Sequence, residues 1–557
     1  MKLFLSLLLV LCLVLSFGGC AQPGEPVPGP PGDPNSSAAP ADAPQLTLTQ
    51  EDLFSDRDYT DTWSNETTID LSTAANPVRI TTAGTYLVSG QLDGQIIIDI
   101  PKDAKVQLVL HNAHINCAGS AAVYIPQGDK VFLTLAPGTD NSLTSTGEFT
   151  NTEGDGVDAA IFSRSDLAIN GSGKLTVTCQ TGHGIVSKDD LRITGGDFTV
   201  TSAKQALGAN DRLTIAGGKF ALTAGTDALH CENTEDAALG IIAIFGGEWR
   251  ITAQSDGLDG SGTVLLEDGT VEITAQDDGL HSEADLFVTG GRLNILACYE
   301  GLEGKTVTVA GGTTTILASD DGINATSGST SSNGGGFWGN KGENPFAVQE
   351  GVGIFITGGS LTVNAGGDGI DSNGSLSVTG GTTYVFGSES SGNGALDYAS
   401  SATITGGTFL ACGGSGMAMN FSGGSQCAAM VNLSGSGQLT LTDSQGNTLL
   451  TATPTKRFSS VVVSTPEMTV GGSYKLACGS ASAEFTMSST LYGSAGVGGM
   501  GGMGGGGMGG NQRPNGGGHQ RPNGSGQRPN SGEQAPSLPN GGFHGPVPTE
   551  TGKGNSF

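Results

Sequence analysis

Apolar and polar residues alternate in a pattern that repeats along the middle of the chain. A Gly-Gly doublet, usually preceded by Thr, marks each repeat, and its second glycine stands at positions 196, 218, 247, 291, 312, 359, 381 and 407. Gly269, which follows an Asp, fills the gap between 247 and 291. Four of the eight successive spacings are 22 residues, so the unit has 22 residues and three units carry insertions.

The same apolar columns recur at fixed distances from the second glycine. Three residues before it stands Ile, Leu or Val in every unit, from Ile193 to Ile404, and apolar residues also dominate five before, two after and four after. This period of two predicts a β-strand on each side of the doublet, with one face turned inward. A third inward position lies eleven residues before the second glycine, as at Ile185 and Leu396.

Strand, glycine turn, strand and second turn in a fixed unit predict an all-β fold. The expected architecture is a right-handed parallel β-helix, a solenoid of ~22-residue coils, with β caps at both ends. Like residues of successive coils would stack about 4.8 Å apart. The glycines are expected to supply positive φ angles at the turns. A calcium-binding β-roll built on nonapeptides is excluded because the period is not nine.

The ends of the chain differ from the middle. Lys2 and an apolar run form a secretory signal, and Gly18-Gly19-Cys20 resembles a bacterial lipobox, which makes Cys20 the expected lipidation site. We therefore predict a protein anchored by lipid on the extracellular face of a bacterial cell membrane. The predicted segments are a signal peptide (1–19), a Pro/Gly linker (20–45), an N-terminal β cap with opening coils (46–144), the β-helix with acidic turns (145–427), a small C-terminal β cap (428–492) and a disordered tail (493–557).

Charge and cysteine content narrow the possible partners. The chain has 53 acidic and 24 basic side chains and a formal net charge of −29. Because phosphate binding needs a Lys/Arg surface, nucleic acid is not an expected partner.

Beyond Cys12 and Cys20, seven cysteines remain, an odd number without C-x-x-C spacing. Buried free thiols are therefore predicted, rather than a disulfide framework or a zinc site.

The second turn of each unit carries an acid-Gly-apolar-polar sequence. Examples are Asp256-Gly-Leu-Asp259, Asp278-Gly-Leu-His281 and Glu300-Gly-Leu-Glu303, and two units carry an extra preceding acid. Stacking would bring these carboxylates within one β spacing of each other, which raises their pKa values unless a cation lies between them. The predicted metal ligands are Asp227, Asp256, Asp259, Asp277, Asp278, Glu300, Glu303, Asp320, Asp321, Asp368 and Asp371.

Calcium is the expected cation because it takes six to eight oxygen ligands from carboxylates, carbonyls and water. The alternative is that Asp-Gly serves only as turn chemistry. That alternative accounts for one Asp per unit, but not for the second acidic column or for the doubled acids. His230 and His281 lie two coils apart in the repeat and are interpreted as solvated turn residues rather than as transition-metal ligands.

These motifs together resemble a known family. The opening Gly84-Thr-Tyr-Leu-Val-Ser-Gly, the Asp-Gly-[Ile/Leu]-[Asp/His] turns, the Thr-Gly-Gly doublets and the closing Phe458-Ser-Ser-Val-Val-Val are similar to bacterial calcium-binding, carbohydrate-binding β-helix surface proteins related to pectate lyases. The resemblance implies calcium in the acidic turns. It also implies non-catalytic binding of plant cell-wall polysaccharide, including acidic sugars such as polygalacturonate, by a protein that we expect to be a monomer.

Two other functions stay open. A polysaccharide lyase would need calcium and a base, and Lys305 is the candidate base, although a salt bridge to Glu303 or Asp321 would explain it as well. A structural adhesin would use calcium only as a staple. The inserted segment 326–351 contains Phe337 and Trp338, which are candidates for stacking on a sugar ring or for anchoring the loop. Trp249 shares a column with Phe198 and Phe220 and is predicted to be core.

Overall fold

The computed structural model describes residues 43–150, 156–327 and 348–493. Their regular structure is nearly all β: one sheet of 39 mostly parallel strands and a second sheet of four antiparallel strands. Within these ranges the α-helical structure is one short helix, Gln50–Leu53, with Thr49 as its N-cap. The predicted all-β class is confirmed.

The large sheet consists of three stacks of parallel strands, and a regular unit adds one strand to each stack. Stack 1 follows the acidic turn and contains Val78–Ile80, Ile96–Asp99, Val123–Gln127, Ala159–Ser163, His183–Ser187, Leu207–Ala209, Leu229–Cys231, Leu258–Gly260, the first halves of Leu280–Val288 and Leu302–Val309, Ile323–Ala325, Ile370–Ser372 and Leu396–Tyr398.

Stack 2 precedes the glycine doublet. It contains Thr67–Asp70, the first halves of Gly84–Asp93 and Lys105–Ala118, Lys130–Leu135, Asp166–Gly171, Leu191–Ile193, Arg212–Ile215, Ile241–Ile244, Val264–Leu266, the second halves of Leu280–Val288 and Leu302–Val309, Gly353–Ile356, Ser375–Val378 and Ser401–Ile404.

Stack 3 follows the doublet and ends at the acidic turn. It contains the second halves of Gly84–Asp93 and Lys105–Ala118, then Asp140–Thr146, Lys174–Cys179, Asp197–Ser202, Lys219–Ala224, Glu248–Ala253, Thr270–Thr274, Arg292–Cys298, Thr313–Ala318, Ser360–Ala365, Thr382–Phe386 and Thr408–Gly413.

The register follows the sequence repeat. Leu258 pairs with Leu280, and Phe198 with Phe220, each 22 residues later. The predicted apolar columns are buried and line one continuous core, which confirms their inward orientation. Trp249 is part of it: its ring stacks on Phe220 with the ring centroids 3.7 Å apart, as predicted for a core residue.

Glycine is needed at the two turns of each unit for different physical reasons. The second glycine of the doublet has a positive φ throughout, for example +70° at Gly312, as predicted. The glycine of the acidic turn is required by close approach instead. A Cβ at Gly279 would fall 2.5 Å from the carbonyl oxygen of Gly301 in the next unit, and equally close to Ile295. The expectation of a positive φ at every turn is therefore wrong for this second turn.

The first described segment, residues 43–62, lies across the outer face of stack 2 rather than adding a strand to it. Leu53 and Phe54 pack on a cluster that includes Phe245 and Phe287. Further on, the amide of Asn170 donates hydrogen bonds to the carbonyl groups of Asp58 and Thr60. The segment 43–62 thus spans several units as a strap, which no periodic pattern in the sequence announces.

The C-terminal part changes strand direction. Ser460–Ser464 pairs antiparallel with Thr408–Gly413 and with Ala428–Val431, and Leu491–Tyr492 adds to the latter strand. The four-stranded antiparallel sheet is formed by Leu439–Asp443, Thr448–Ala452, Ser473–Cys478 and Ala481–Thr486, over a separate apolar cluster.

All seven cysteines between residues 117 and 478 are buried free thiols, as predicted. Burial raises the pKa of several of them, well above the ordinary value for Cys231 and to about 12 for Cys298, so these thiols stay protonated at neutral pH. In the part of the chain that the structure describes, no helix is long and apolar enough to cross a membrane.

Candidate functional site

Two columns of polar side chains run side by side along the edge where stack 3 ends and stack 1 begins. We call the first the turn column: Asp227, Asp256, Asp278, Glu300, Asp321 and Asp368, one from each acidic turn. We call the second the strand ladder, formed by the middle residue of each following stack 1 strand. Its successive register partners are His230, Asp259, His281, Glu303, Asn324, Asp371 and Asp397.

Most of the turn column is buried, and four of its six carboxylates accept a backbone N–H of the next unit: Asp227, Asp256, Asp321 and Asp368. Oδ1 of Asp256 accepts the N–H of Asp278 at 2.7 Å, and Oδ1 of Asp321 accepts the N–H of Asp368 at 2.6 Å. Asp368 in turn accepts the N–H of Gly394. One oxygen of these carboxylates therefore satisfies a buried backbone donor, which is a structural role that turn chemistry alone does not predict.

Burial and crowding raise the pKa values of three of these carboxylates, in the direction predicted from the stacking. Burial, followed by the negative charge of Asp259, raises the pKa of Asp256 to about 7. Burial and then Glu303 raise the pKa of Glu300 to about 8, and the same two causes raise the pKa of Asp278 well above its ordinary value. A group of buried carboxylates with raised pKa values gains most from a nearby positive charge.

Two groups of carboxylates have the donor set of a hard cation. Asp256, Asp277 and Asp278 can each place one oxygen within 4.8 Å of the others, and so can Asp278, Glu300 and Glu303. Oxygens on opposite sides of a calcium ion lie about 4.8 Å apart. Both groups are made of oxygen donors alone, so these residues fit calcium, with backbone carbonyls or water completing the shell.

The later acids continue the same edge. Asp320 and Asp321 both turn a carboxylate oxygen toward Gly367, so a Cβ there would fall 2.4 and 2.3 Å from their Oδ1 atoms. Asp371 lies in the strand ladder, paired with Asp397. The amide of Asn324 donates to Glu300 at 2.8 Å. Neither Asn324 nor Asp397 is among the predicted metal ligands.

The early end of the ladder contains two half-buried histidines in strands, and both are paired with the same carboxylate. His230 and His281 lie on either side of Asp259, and each ring contacts a different oxygen of that carboxylate, at 2.8 and 2.9 Å between Nδ1 and the oxygen. Burial acts to lower the pKa of His281, but its hydrogen bond to Asp259 outweighs this and raises the pKa to about 9. The interpretation of both residues as solvated turn histidines is therefore wrong.

N-terminal to Asp227, the acidic residue at the same edge is already paired with basic side chains. Asp158 contacts His183 at 3.2 Å and Lys204 at 3.3 Å, so its charge is compensated within the protein. Lys305, the candidate base, is exposed and lies beside Gly351. Among the described residues it forms no ion pair, so the predicted bridge to Glu303 or Asp321 is not found.

Another acidic cluster lies at the turn between stacks 1 and 2, and no sequence motif points to it. Asp166, Asp189 and Asp190 can bring oxygens within 4.8 Å of one another. Here, however, Arg192 bonds to both Asp166 and Asp190 and also donates to the carbonyl of Leu53 in the strap. Its guanidinium group supplies the positive charge that a metal ion would otherwise supply. We interpret this cluster as the place where the strap is attached to stack 2.

Several predicted residues lie outside the described ranges. These are the lipidation site Cys20 and the aromatic residues Phe337 and Trp338. All eleven predicted metal ligands are described, and they lie in or beside the turn column and the strand ladder.

The chain is similar to proteins named for carbohydrates. A carbohydrate-binding domain-containing protein of Acetivibrio thermocellus is 42% identical over 133 residues, which are 23% of this chain and 46% of that relative. The match therefore spans less than half the length of the relative. A solved structure of a polysaccharide lyase-like protein from C. thermocellum, a gadolinium derivative, is 33% identical and covers 41% of this chain and 99% of its own, with a TM-score of 0.38. At that score the likeness does not establish a shared fold or activity.

A family model gives the wider match. The model of carbohydrate-binding domain-containing proteins matches residues 74–345 and 277–447, which together cover 74–447, more than half of the 557 residues. The matched region contains the turn column and the strand ladder. The chain belongs to the family of carbohydrate-binding domain-containing proteins.

Proposed function

We propose that this protein binds polysaccharide without cleaving it, and that calcium held by the acidic turns takes part in the binding. The ligand class is a plant cell-wall type of polymer, with acidic sugars such as polygalacturonate as the first candidates. The protein acts as a monomer, carried on the outer face of the bacterial cell membrane by a lipid on Cys20.

One observation carries this proposal. The oxygens of Asp256, Asp277 and Asp278, and those of Asp278, Glu300 and Glu303, converge within 4.8 Å on one edge of a chain from a carbohydrate-binding family. The described part of this edge carries few bases, so its charge needs compensation from outside the protein. A calcium ion bound there would supply positive charge to which a uronate carboxylate can coordinate.

We further infer that the three stacks close around one core as the coils of a right-handed parallel β-helix. The cyclic order of stacks 1, 2 and 3 along the chain and the constant 22-residue register support this architecture. In such a solenoid the turn column would run parallel to the long axis. A chain polymer could then contact several acidic turns at once, which adds their individual affinities.

The residues of the turn column have a positioning role in this proposal. Oδ1 of Asp256 is engaged with the backbone of the next unit, so its carboxylate has little freedom to rotate. A fixed carboxylate loses less side-chain entropy when a ligand binds. The strand ladder supplies a further ligand oxygen to a site, as Glu303 does next to Asp278 and Glu300.

The proposal is non-catalytic because the candidate base, Lys305, is not held in place for β-elimination. A base must have a lowered pKa and lie within reach of the substrate proton. Lys305 is exposed rather than buried, which would leave an ammonium group strongly hydrated. A structural adhesin that uses calcium only as a staple would also lack a base, and it differs in binding no sugar.

The test is binding of the secreted protein to polygalacturonate, measured by affinity electrophoresis with calcium and with EDTA, alongside ultraviolet absorbance for unsaturated products. The variant is Asp278→Asn with Glu300→Gln. Its matched control is Glu248→Gln with Glu272→Gln, which removes the same charge from exposed ion pairs in stack 3. We expect retardation that needs calcium, survives in the control and falls at least tenfold in the variant.

Other results would contradict the proposal in distinct ways. Unsaturated product would identify a lyase. Calcium binding without retardation by any of a panel of neutral and acidic cell-wall polymers would leave the structural adhesin. Retardation that persists in EDTA would place sugar binding elsewhere on the protein.

A further inference from the structure

The start of the strand ladder has a different chemistry from the rest of it. His230, Asp259 and His281 are consecutive rungs in register, and the two imidazoles face one shared carboxylate. Nδ1 of His230 lies 2.8 Å from Oδ2 of Asp259, and Nδ1 of His281 lies 2.9 Å from Oδ1. Each oxygen of Asp259 therefore has its own nitrogen neighbour.

The turn column supplies a third ligand atom on each side. Oδ2 of Asp227 lies 3.4 Å from Nδ1 of His230. Asp256 can place an oxygen within 4.8 Å of both Asp259 and His281. In both turn residues the Oδ1 atom accepts the N–H of the next unit, at 3.4 Å for Asp227 and 2.7 Å for Asp256. The backbone thus fixes these carboxylates and leaves the second oxygen for another partner.

The outer nitrogen of His230 is also held. Its Nε2 faces Oε2 of Glu232 at 3.6 Å. A histidine that binds a metal through one ring nitrogen commonly directs the other N–H to a carboxylate, which fixes the tautomer and the ring orientation. The arrangement of Asp259, His230 and Glu232 has this order, with the shared carboxylate on one side of the ring and an orienting carboxylate on the other.

We propose that Asp227, His230, Asp256, Asp259 and His281 form a paired site for borderline divalent ions such as Zn²⁺, with the carboxylate of Asp259 bridging two ions. Ligand atoms around a tetrahedral zinc lie about 3.4 Å apart, because each bond is about 2.1 Å. Nδ1 of His230 and Oδ2 of Asp227 have this separation, at 3.4 Å. The contacts of 2.8 and 2.9 Å to Asp259 are hydrogen-bond distances, which an entering ion would open by about 0.5 Å.

The donor set distinguishes this site from the rest of the edge. Imidazole nitrogen suits zinc, copper and nickel, whereas calcium prefers oxygen alone. The group of Asp278, Glu300 and Glu303 contains no nitrogen donor. The inference goes beyond the proposed function, since it needs no polysaccharide. It assigns Asp227 and Asp259 to a different metal from the one predicted for them, and Asp256 becomes a ligand shared with the calcium group of Asp256, Asp277 and Asp278.

The experiment is titration of the metal-free protein with Zn²⁺ in the presence of millimolar Ca²⁺, followed by isothermal calorimetry and by competition with a chromogenic zinc indicator. The variants are His281→Gln and the double variant His230→Gln with His281→Gln. The control is His114→Gln, an exposed histidine in stack 3 that contacts Ser142. We expect two zinc ions per wild-type chain, one in the single variant, and at least tenfold weaker binding in the double variant.

A spectroscopic measurement tests the site without any substitution. X-ray absorption at the zinc edge should show nitrogen and oxygen neighbours at about 2.0–2.2 Å with scattering from imidazole rings. A shell of oxygen alone would overturn the proposal, as would zinc binding that is unchanged in the double variant or no zinc binding in the presence of calcium. If the wild-type protein binds zinc but no polysaccharide, the proposed function is contradicted and the zinc site is not.

Discussion

The carboxylate of Asp256 accepts the backbone N–H of Asp278, the equivalent residue of the next unit, at 2.7 Å. The same relationship joins Asp321 to Asp368. Asp256 and Asp321 therefore connect the units as well as repelling neighbouring acids, because each satisfies a backbone donor that would otherwise be buried without a partner.

Replacement of Asp256 should separate the two roles. Asp256→Ala leaves the N–H of Asp278 without its acceptor and should cost about 1–3 kcal/mol of unfolding free energy. Asp256→Asn keeps an oxygen acceptor and removes a crowded charge, so its cost should be smaller. Urea unfolding in EDTA measures the difference without a contribution from metal. Equal destabilisation by both variants would show that the hydrogen bond contributes little.

The glycine of the acidic turn should not tolerate a methyl group. A Cβ at Gly279 would lie 2.5 Å from both the carbonyl oxygen of Gly301 and Cδ1 of Ile295. Gly279→Ala should therefore destabilise the protein by about 1–3 kcal/mol. Gly392→Ala is the matched control, since nothing lies within 4 Å of its Cβ position. A similar midpoint of urea unfolding for both variants would contradict this packing.

The buried ion pair of the strap should matter more than an exposed pair nearby. Nζ of Lys130 lies 2.7 Å from Asp58, whose side chain is 1% exposed. Asp58→Asn leaves the buried Lys130 with only the more distant carboxylate of Asp166, at 3.9 Å, and we expect a loss of about 3–5 kcal/mol. Asp129→Asn breaks the exposed pair with Lys105 and should cost less than about 1 kcal/mol. Comparable losses in the two variants would show that the strap is not held by this pair.

The same pair should make stability depend on pH. Burial acts to raise the pKa of Asp58, but the hydrogen bond and charge of Lys130, with donors from Ser55, outweigh it and lower the pKa. A lowered folded-state pKa gives stability that is present above the unfolded value of about 3.9 and is lost as pH falls through the folded value. The stability difference between wild type and Asp58→Asn should be constant from pH 7 to 5 and shrink below about pH 4. A difference that grows in acid would have the wrong sign.

Removal of calcium should lower the melting temperature if the proposed ions bind only the folded chain. An ion present at one hundred times its Kd adds about 2.7 kcal/mol per site. Thermal unfolding followed by circular dichroism with calcium and with EDTA measures this shift. Asp278→Asn with Glu300→Gln should reduce the shift, and the stack 3 control variant should retain it. An unchanged melting temperature in the wild type would contradict bound calcium.

The repeat pattern was sufficient for the core but not for the contacts of the site. Phe198, Phe220 and Trp249 could be assigned to one column because a period of two leaves a residue only two possible faces. For the histidines, a separation of two units along the sequence does not imply a separation in space. His230 and His281 are two units apart, but long side chains on neighbouring rungs both reach the carboxylate between them.

By itself, the sequence determined the 22-residue unit, the inward columns and the edge on which the acids collect. With a regular period, a residue at a given position of the repeat lies at the same place in every unit. Only the tertiary structure decided which oxygen of each acid faces the backbone, which nitrogen meets Asp259, and where the strap lies. These features depend on contacts between residues distant in the chain, such as Asn170 with Asp58, and no local pattern encodes such contacts.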